Sequence, residues 1–124
     1  MSNIELTKSE KVVMEIIWGA ERPIMIQEIL DEVSSKYHKV WKPQTLSTFL
    51  RTLVDKGLAE YERRNMFSYY WPVMNRIEYA GLLQKKLMTD WFGGSKKVFL
   101  STFISDNQVT VKELEAIKAE VSKK

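Results

Sequence analysis

KPQTLSTFLRTLVDKGLAEYERRNMFSYYW, residues 42–71, holds a helix, a stop and a hairpin in one short segment. Pro43 suits the first helical turn, where its missing N–H would be unpaired anyway. At about 100° per residue, Leu46, Phe49, Leu50, Leu53 and Val54 fall on one side of that helix. Gln44, Thr48, Arg51 and Asp55 fall opposite, flanked by Thr45 and Thr52, with Ser47 at the margin. The predicted helix spans 43–56 and Gly57 ends it. Leu58 to Arg63 then alternates apolar and polar, as does part of Phe67 to Trp71, and Arg64-Asn65-Met66 reads as the tip between two strands.

The segments on either side complete a pattern. Thr7-Lys8-Ser9-Glu10 has the form of a capping box. Val13, Met14, Ile16, Ile17 and Trp18 follow at helical spacing, and Gly19 is the expected stop. Ile24 and Met25 suit a very short strand. Ile26 to Ser34 reads as a second helix, with Ile26, Ile29, Leu30 and Val33 inward, and 35–41 as a polar loop. Helix, short strand, helix, helix, strand, tip, strand is the order of a winged helix-turn-helix. Downstream, Asn75-Arg76-Ile77-Glu78 opens a helix to about Trp91, broken by Gly93-Gly94. Ser95 to Ile104 forms another. Thr110-Val111-Lys112-Glu113 caps a last one, with Leu114, Ile117 and Val121 as its seam. The expected fold is mainly α with a small β-hairpin. It comprises a winged-helix DNA-binding domain over 1–74 and a helical dimerisation domain over 75–124.

Composition narrows the function classes. The chain has 124 residues, 44% of them hydrophobic and 28% charged, as in a soluble globular protein. No apolar run approaches the roughly 20 residues that span a bilayer, and the opening MSNIELTKSEK lacks a signal core. A cytoplasmic location follows as the expectation. With no cysteine and one histidine, His38, the chain offers neither thiolate nor histidine-cluster metal ligands and no cysteine nucleophile. No cofactor or metal is expected, and no carboxylate pair sits beside a nucleophile, so an enzyme is the weakest class. His38 reads as a surface loop residue.

Charge is segregated. Residues 1–35 carry three basic and seven acidic side chains, whereas 36–64 carry seven basic and three acidic ones. A basic segment that contains an amphipathic helix suits a polyanionic partner. Gln44, Thr45, Ser47, Thr48 and Arg51 have the lengths and hydrogen-bonding groups to meet base edges in a major groove. Lys39 and Lys42 before the helix, and Arg63 and Arg64 on the wing, are placed for backbone phosphates or the minor groove. The first turn of the helix would add free N–H donors. Each of these has a plainer reading: a solvated helix face, or charges that keep an edge hairpin soluble. Tyr61, Phe67, Tyr69, Tyr70 and Trp71 suit packing against the first helix better than stacking on bases.

The last 50 residues are too few to bury a core alone. Their apolar positions, Leu83, Leu87, Trp91, Phe99, Phe103, Leu114, Ile117 and Val121, therefore predict a twofold homodimer. Two heads on such a dimer match double-stranded DNA carrying an inverted repeat, with half-sites a multiple of about 10 bp apart.

LTKSEKVVMEIIW (6–18), WKPQTLSTFLRTLVDKGLAEYER (41–63) and YYWPVMNRIEY (69–79) resemble the penicillinase-repressor family, the BlaI/MecI/CopY group. The resemblance implies a dimeric bacterial repressor on a palindromic operator, controlling a resistance-type operon. In the family's beta-lactam branch, a membrane sensor-protease signals antibiotic and the repressor is cut in its dimerisation region, which the resemblance offers as one route of induction. The family's beta-lactam branch is cut at Asn-Phe, and Thr102-Phe103 stands at that position here. The copper branch uses a cysteine cluster that this chain lacks. Basic residues that some relatives carry near the start of the third helix correspond to Gln44 and Ser47. The rival from another class is a winged-helix protein-interaction module without DNA binding, against which the polar, basic face of the third helix argues.

Overall fold

The computed structural model describes residues 4–124. The three residues before them belong to the expected first domain and to the leader reading, and lie outside the described residues. In order, the elements are α1 (Lys8–Ala20), β1 (Ile24–Met25), α2 (Ile26–Tyr37), α3 (Pro43–Asp55), β2 (Ala59–Arg64), β3 (Phe67–Pro72), α4 (Arg76–Phe92), α5 (Lys96–Asp106) and α6 (Val111–Ser122). The three strands form one antiparallel sheet in the order β1-β3-β2. This is the winged-helix arrangement expected from the sequence, followed by three further helices.

Local chemistry sets most boundaries. Thr7 caps α1: its hydroxyl accepts from the Glu10 amide at 3.2 Å, and its own amide donates to Glu10 Oε1 at 3.0 Å. Thr110 and Glu113 repeat this device at α6, and Asn75 and Glu78 form its asparagine counterpart before α4. α3 closes in a Schellman motif. The Leu58 amide reaches back to the Leu53 carbonyl and the Gly57 amide to that of Val54, each at 3.0 Å. Gly57 adopts φ +77°, which a side chain would strain. Asn65 takes φ +58° at the wing tip, where Arg64 pairs with Phe67.

Several boundaries depart from the expectation. α1 runs through Gly19 to Ala20, and Glu21 takes the left-handed turn at φ 56°. α2 continues past Ser34 to Tyr37, because the αL turn falls at His38, whose amide donates to the Val33 carbonyl. His38 is thus a helix C-cap as well as an exposed residue, and the connection to α3 shortens to 38–42. Arg64 ends β2, leaving Asn65 and Met66 as the tip.

The chain divides into two compact units, Met1–Leu83 and Gln84–Lys124. The core of the first draws Val13, Met14 and Ile17 from α1, Ile29 and Val33 from α2, and Leu46, Leu50 and Leu53 from α3. Ile24 and Ala59 close it from the sheet, with Leu58 just before β2. Burying a leucine of this kind stabilises the fold by roughly 1.5–3 kcal/mol relative to leaving it in water. The first turns of α4 join this unit: Tyr79 is buried, Leu83 packs on the core, and the Tyr79 hydroxyl donates to the Ile4 carbonyl at 2.8 Å. The Trp18 indole donates to the Met74 carbonyl at 2.9 Å, and its ring packs on Tyr79. In the second unit, α5 and α6 bury no residue.

Candidate nucleic-acid interface

The face of α3 is dictated by its core stripe. Leu46, Leu50 and Leu53 are fully buried, so Gln44, Thr45, Ser47, Thr48 and Arg51 must project into solvent, and all five are exposed. The Thr48 hydroxyl donates to the Gln44 carbonyl and that of Thr52 to the Thr48 carbonyl, both at 3.1 Å. These bonds use the hydroxyl protons and leave the oxygens as acceptors. The first turn holds fewer free donors than the sequence suggests. Pro43 has no N–H, and the Thr45 and Leu46 amides bond back to the Lys42 carbonyl. Gln44 supplies the remaining first-turn amide.

Cations lie on the segments that precede and follow α3 in the chain. Trp41 packs its ring on Phe49, with centroids 5.1 Å apart, and so ties the 38–42 connection to α3. Exposed Lys39 and Lys42 flank that anchor. Among the described residues, Lys39, Lys42, Arg51 and Arg63 have no ion-pair partner. Arg64 differs: it lies 3.2 Å from Glu62 and over the Tyr69 ring. The two wing arginines, equivalent in the sequence, are therefore one free and one occupied. Of the wing aromatics, Tyr70 packs against the core and stacks with Tyr61. Burial, then the neighbouring Tyr61, raises the Tyr70 phenol above its ordinary pKa. Tyr69 and Trp71 are half-buried, while Tyr61 and Phe67 are exposed.

Residues 6–123 match the penicillinase repressor family. The chain belongs to that family. The penicillinase repressor of Bacillus licheniformis is 22% identical over 110 residues, covering 89% of this chain and 84% of its own. The methicillin resistance regulatory protein MecI of Staphylococcus aureus is 22% identical over 120 residues, covering 97% and 95%. A solution structure of the DNA binding domain of the repressor BlaI superposes with a TM-score of 0.51 at 27% identity. It covers 61% of this chain and 90% of that one. Penicillinase repressor relatives are thus named as repressors and regulators, and a solved one as a DNA binding domain.

The other positions singled out in the sequence lie on α4, α5 and α6. Leu83 packs on the winged-helix core. Leu87, Trp91, Phe103, Ile117 and Val121 are exposed, Trp91 to 79%. Phe99 and Leu114 are half-buried, and Phe99 meets Phe92 edge-on at 5.3 Å. Thr102, half-buried, and Phe103 lie in the middle of α5. No helix among the described residues is long and apolar enough to cross a membrane, and no cluster of metal-ligating side chains occurs among them.

Sequence reasoning missed one buried contact. The Lys56 ammonium at the end of α3 lies 2.7 Å from Glu10 Oε1 and 2.8 Å from the Glu5 carbonyl. Burial alone would raise the Glu10 carboxyl. The Lys56 ammonium and the Thr7 amide and hydroxyl outweigh it and hold the pKa below its ordinary value. Glu10 and Lys56 are 46 residues apart, and no local pattern pairs them.

Proposed function

We propose that this protein is a homodimeric transcriptional repressor that lays α3 in the major groove of an inverted-repeat operator. The observation that carries this reading is the outer face of α3. Five short or hydrogen-bonding side chains, Arg51 among them, stand opposite a fully buried leucine stripe, and three further cations, Lys39, Lys42 and Arg63, have no ion-pair partner among the described residues. Gln44 and Arg51 carry the two-pronged groups that recognise adenine and guanine, while Thr45, Ser47 and Thr48 supply hydroxyls and methyls. Lys39, Lys42 and Arg63 then hold the backbone, and Arg64 joins them only by leaving Glu62. Kinship with repressors favours this over a protein-interaction module.

The homodimer rests on the second unit. A single copy leaves Leu87, Trp91, Phe103, Ile117 and Val121 exposed. A second copy supplies matching apolar surface by symmetry, so the helices from 75 onward act as the dimerisation domain and 1–74 as the DNA-binding domain, with the first turns of α4, through Leu83, also packed on the winged-helix core. The protein works by occupying DNA in the cytoplasm, with no catalytic step. We assign it to a resistance-type operon, with induction by a membrane sensor-protease that cuts Thr102-Phe103. The test of DNA binding is selection of duplexes from a random-sequence pool, followed by fluorescence anisotropy. Enrichment of an inverted repeat supports the reading. A pool that stays unenriched, with no gel shift on random genomic fragments, leaves the interaction-module reading instead.

A further inference from the structure

Lys56 lies in the most basic part of the chain, at the end of the reading helix, where a lysine would be expected to meet phosphate. Its side chain is only 16% exposed, and its ammonium is engaged by the Glu10 carboxylate and the Glu5 carbonyl. We infer that Lys56 and Glu10 form a positioning pair that fixes how α3 presents its reading face, and that Lys56 does not bind DNA. The inference rests on the DNA-binding function proposed above.

The physical case begins with what else holds α3. Leu46, Leu50 and Leu53 bind it to the core through apolar contact, which has no preferred direction. Such a stripe resists removal of the helix more than a small rotation or slide. The Lys56–Glu10 contact is directional and joins the last turn of α3 to the first turn of α1. The oxygen that accepts from Lys56, Glu10 Oε1, also accepts the Thr7 amide of the capping box. The pair is thus built into the start of α1 rather than resting on a loose side chain. Such pairs can often be replaced by apolar groups of like volume with little loss of stability. Their best-attested use is to specify one arrangement among similar ones. Base readout needs that specification, because a shifted helix carries every reading side chain away from its base edge together.

The experiment uses the full chain and a duplex selected by the wild-type protein. The variants are Lys56→Met with Glu10→Leu, which replaces the pair by apolar groups, and Lys56→Arg, which keeps the charge in a different shape. The ratio of affinities for selected and random duplex is expected to fall about tenfold in the double variant, the scale of one or two lost base contacts. The slope of log affinity against log salt stays at the wild-type value, because no phosphate contact is lost. Lys56→Arg should lower the ratio as well, and it carries the test if the double variant does not fold. A retained ratio in a folded variant overturns the positioning role. A slope flattened by about one unit per lysine lost places Lys56 on a phosphate and also overturns it. If the wild-type protein selects no duplex, the DNA-binding function itself has failed, and this inference with it.

Discussion

Arg63→Ala separates the two wing arginines, which the sequence alone treats alike. In the structure Arg63 has no ion-pair partner, whereas Arg64 sits 3.2 Å from Glu62 and over Tyr69. Each phosphate neutralised on B-DNA contributes about 0.9 to the slope of log affinity against log salt. With Lys39, Lys42 and Arg63 on phosphates in both protomers, six contacts give a slope of about −5, or about a thousandfold loss of affinity from 50 to 200 mM salt. Arg63→Ala removes two of the six, so the slope should flatten by about 2, alike on selected and random duplexes. Arg64→Ala should flatten it by less, because that guanidinium must first give up Glu62. Anisotropy titrations of a labelled duplex at four salt concentrations measure both. An Arg63→Ala slope equal to wild type, or a larger change with Arg64→Ala, would refute the reasoning that intramolecular pairing decides which cation meets DNA.

Arg51→Ala should cost about 1–3 kcal/mol on the selected duplex and little on random duplex, since a base contact is lost; competition titrations compare the two. Leu50→Ala, at a fully buried position on α3, should destabilise the fold by about 2–5 kcal/mol, read from urea unfolding followed by circular dichroism. Acid should weaken the wild-type protein through Glu10. Its folded pKa is depressed, so its contribution is whole above the ordinary value of 4.5 and is lost as pH falls through the lower folded value. Glu10→Gln should therefore show a shallower loss of stability across that window in urea unfolding at stepped pH. Phe103→Asp should raise the dimer dissociation constant by at least about tenfold in sedimentation equilibrium, since it puts a charge into the proposed seam.

What could be read in the sequence is what local chemistry encodes. Thr7 with Glu10 and Thr110 with Glu113 announce helix starts because a side chain three residues away meets the backbone it must cap. Gly57 announces the end of α3 because φ +77° excludes most residues. The outward face of α3 follows from its leucine spacing. The less legible boundaries are those where an unexpected residue takes the left-handed turn. His38 ends α2 and Glu21 ends α1, at positions where glycine is the usual signal. Longer-range chemistry was out of reach. Nothing in the segment around Lys56 points to Glu10, nor around Trp18 to the Met74 carbonyl, because those pairings exist only after the helices meet. The unequal engagement of Arg63 and Arg64 also belongs to the folded wing, where the strand register sets Tyr69 opposite Glu62 and the Arg64 guanidinium reaches both.

Dimethyl sulfate protection of guanine N7 on a selected duplex tests the central claim most directly, because N7 lies in the major groove where α3 is proposed to sit. Two protected clusters, related by the twofold axis of the inverted repeat and centred a multiple of about 10 bp apart, are the predicted result. Unprotected N7 positions under saturating protein, or one isolated cluster, would contradict a pair of reading helices on one duplex.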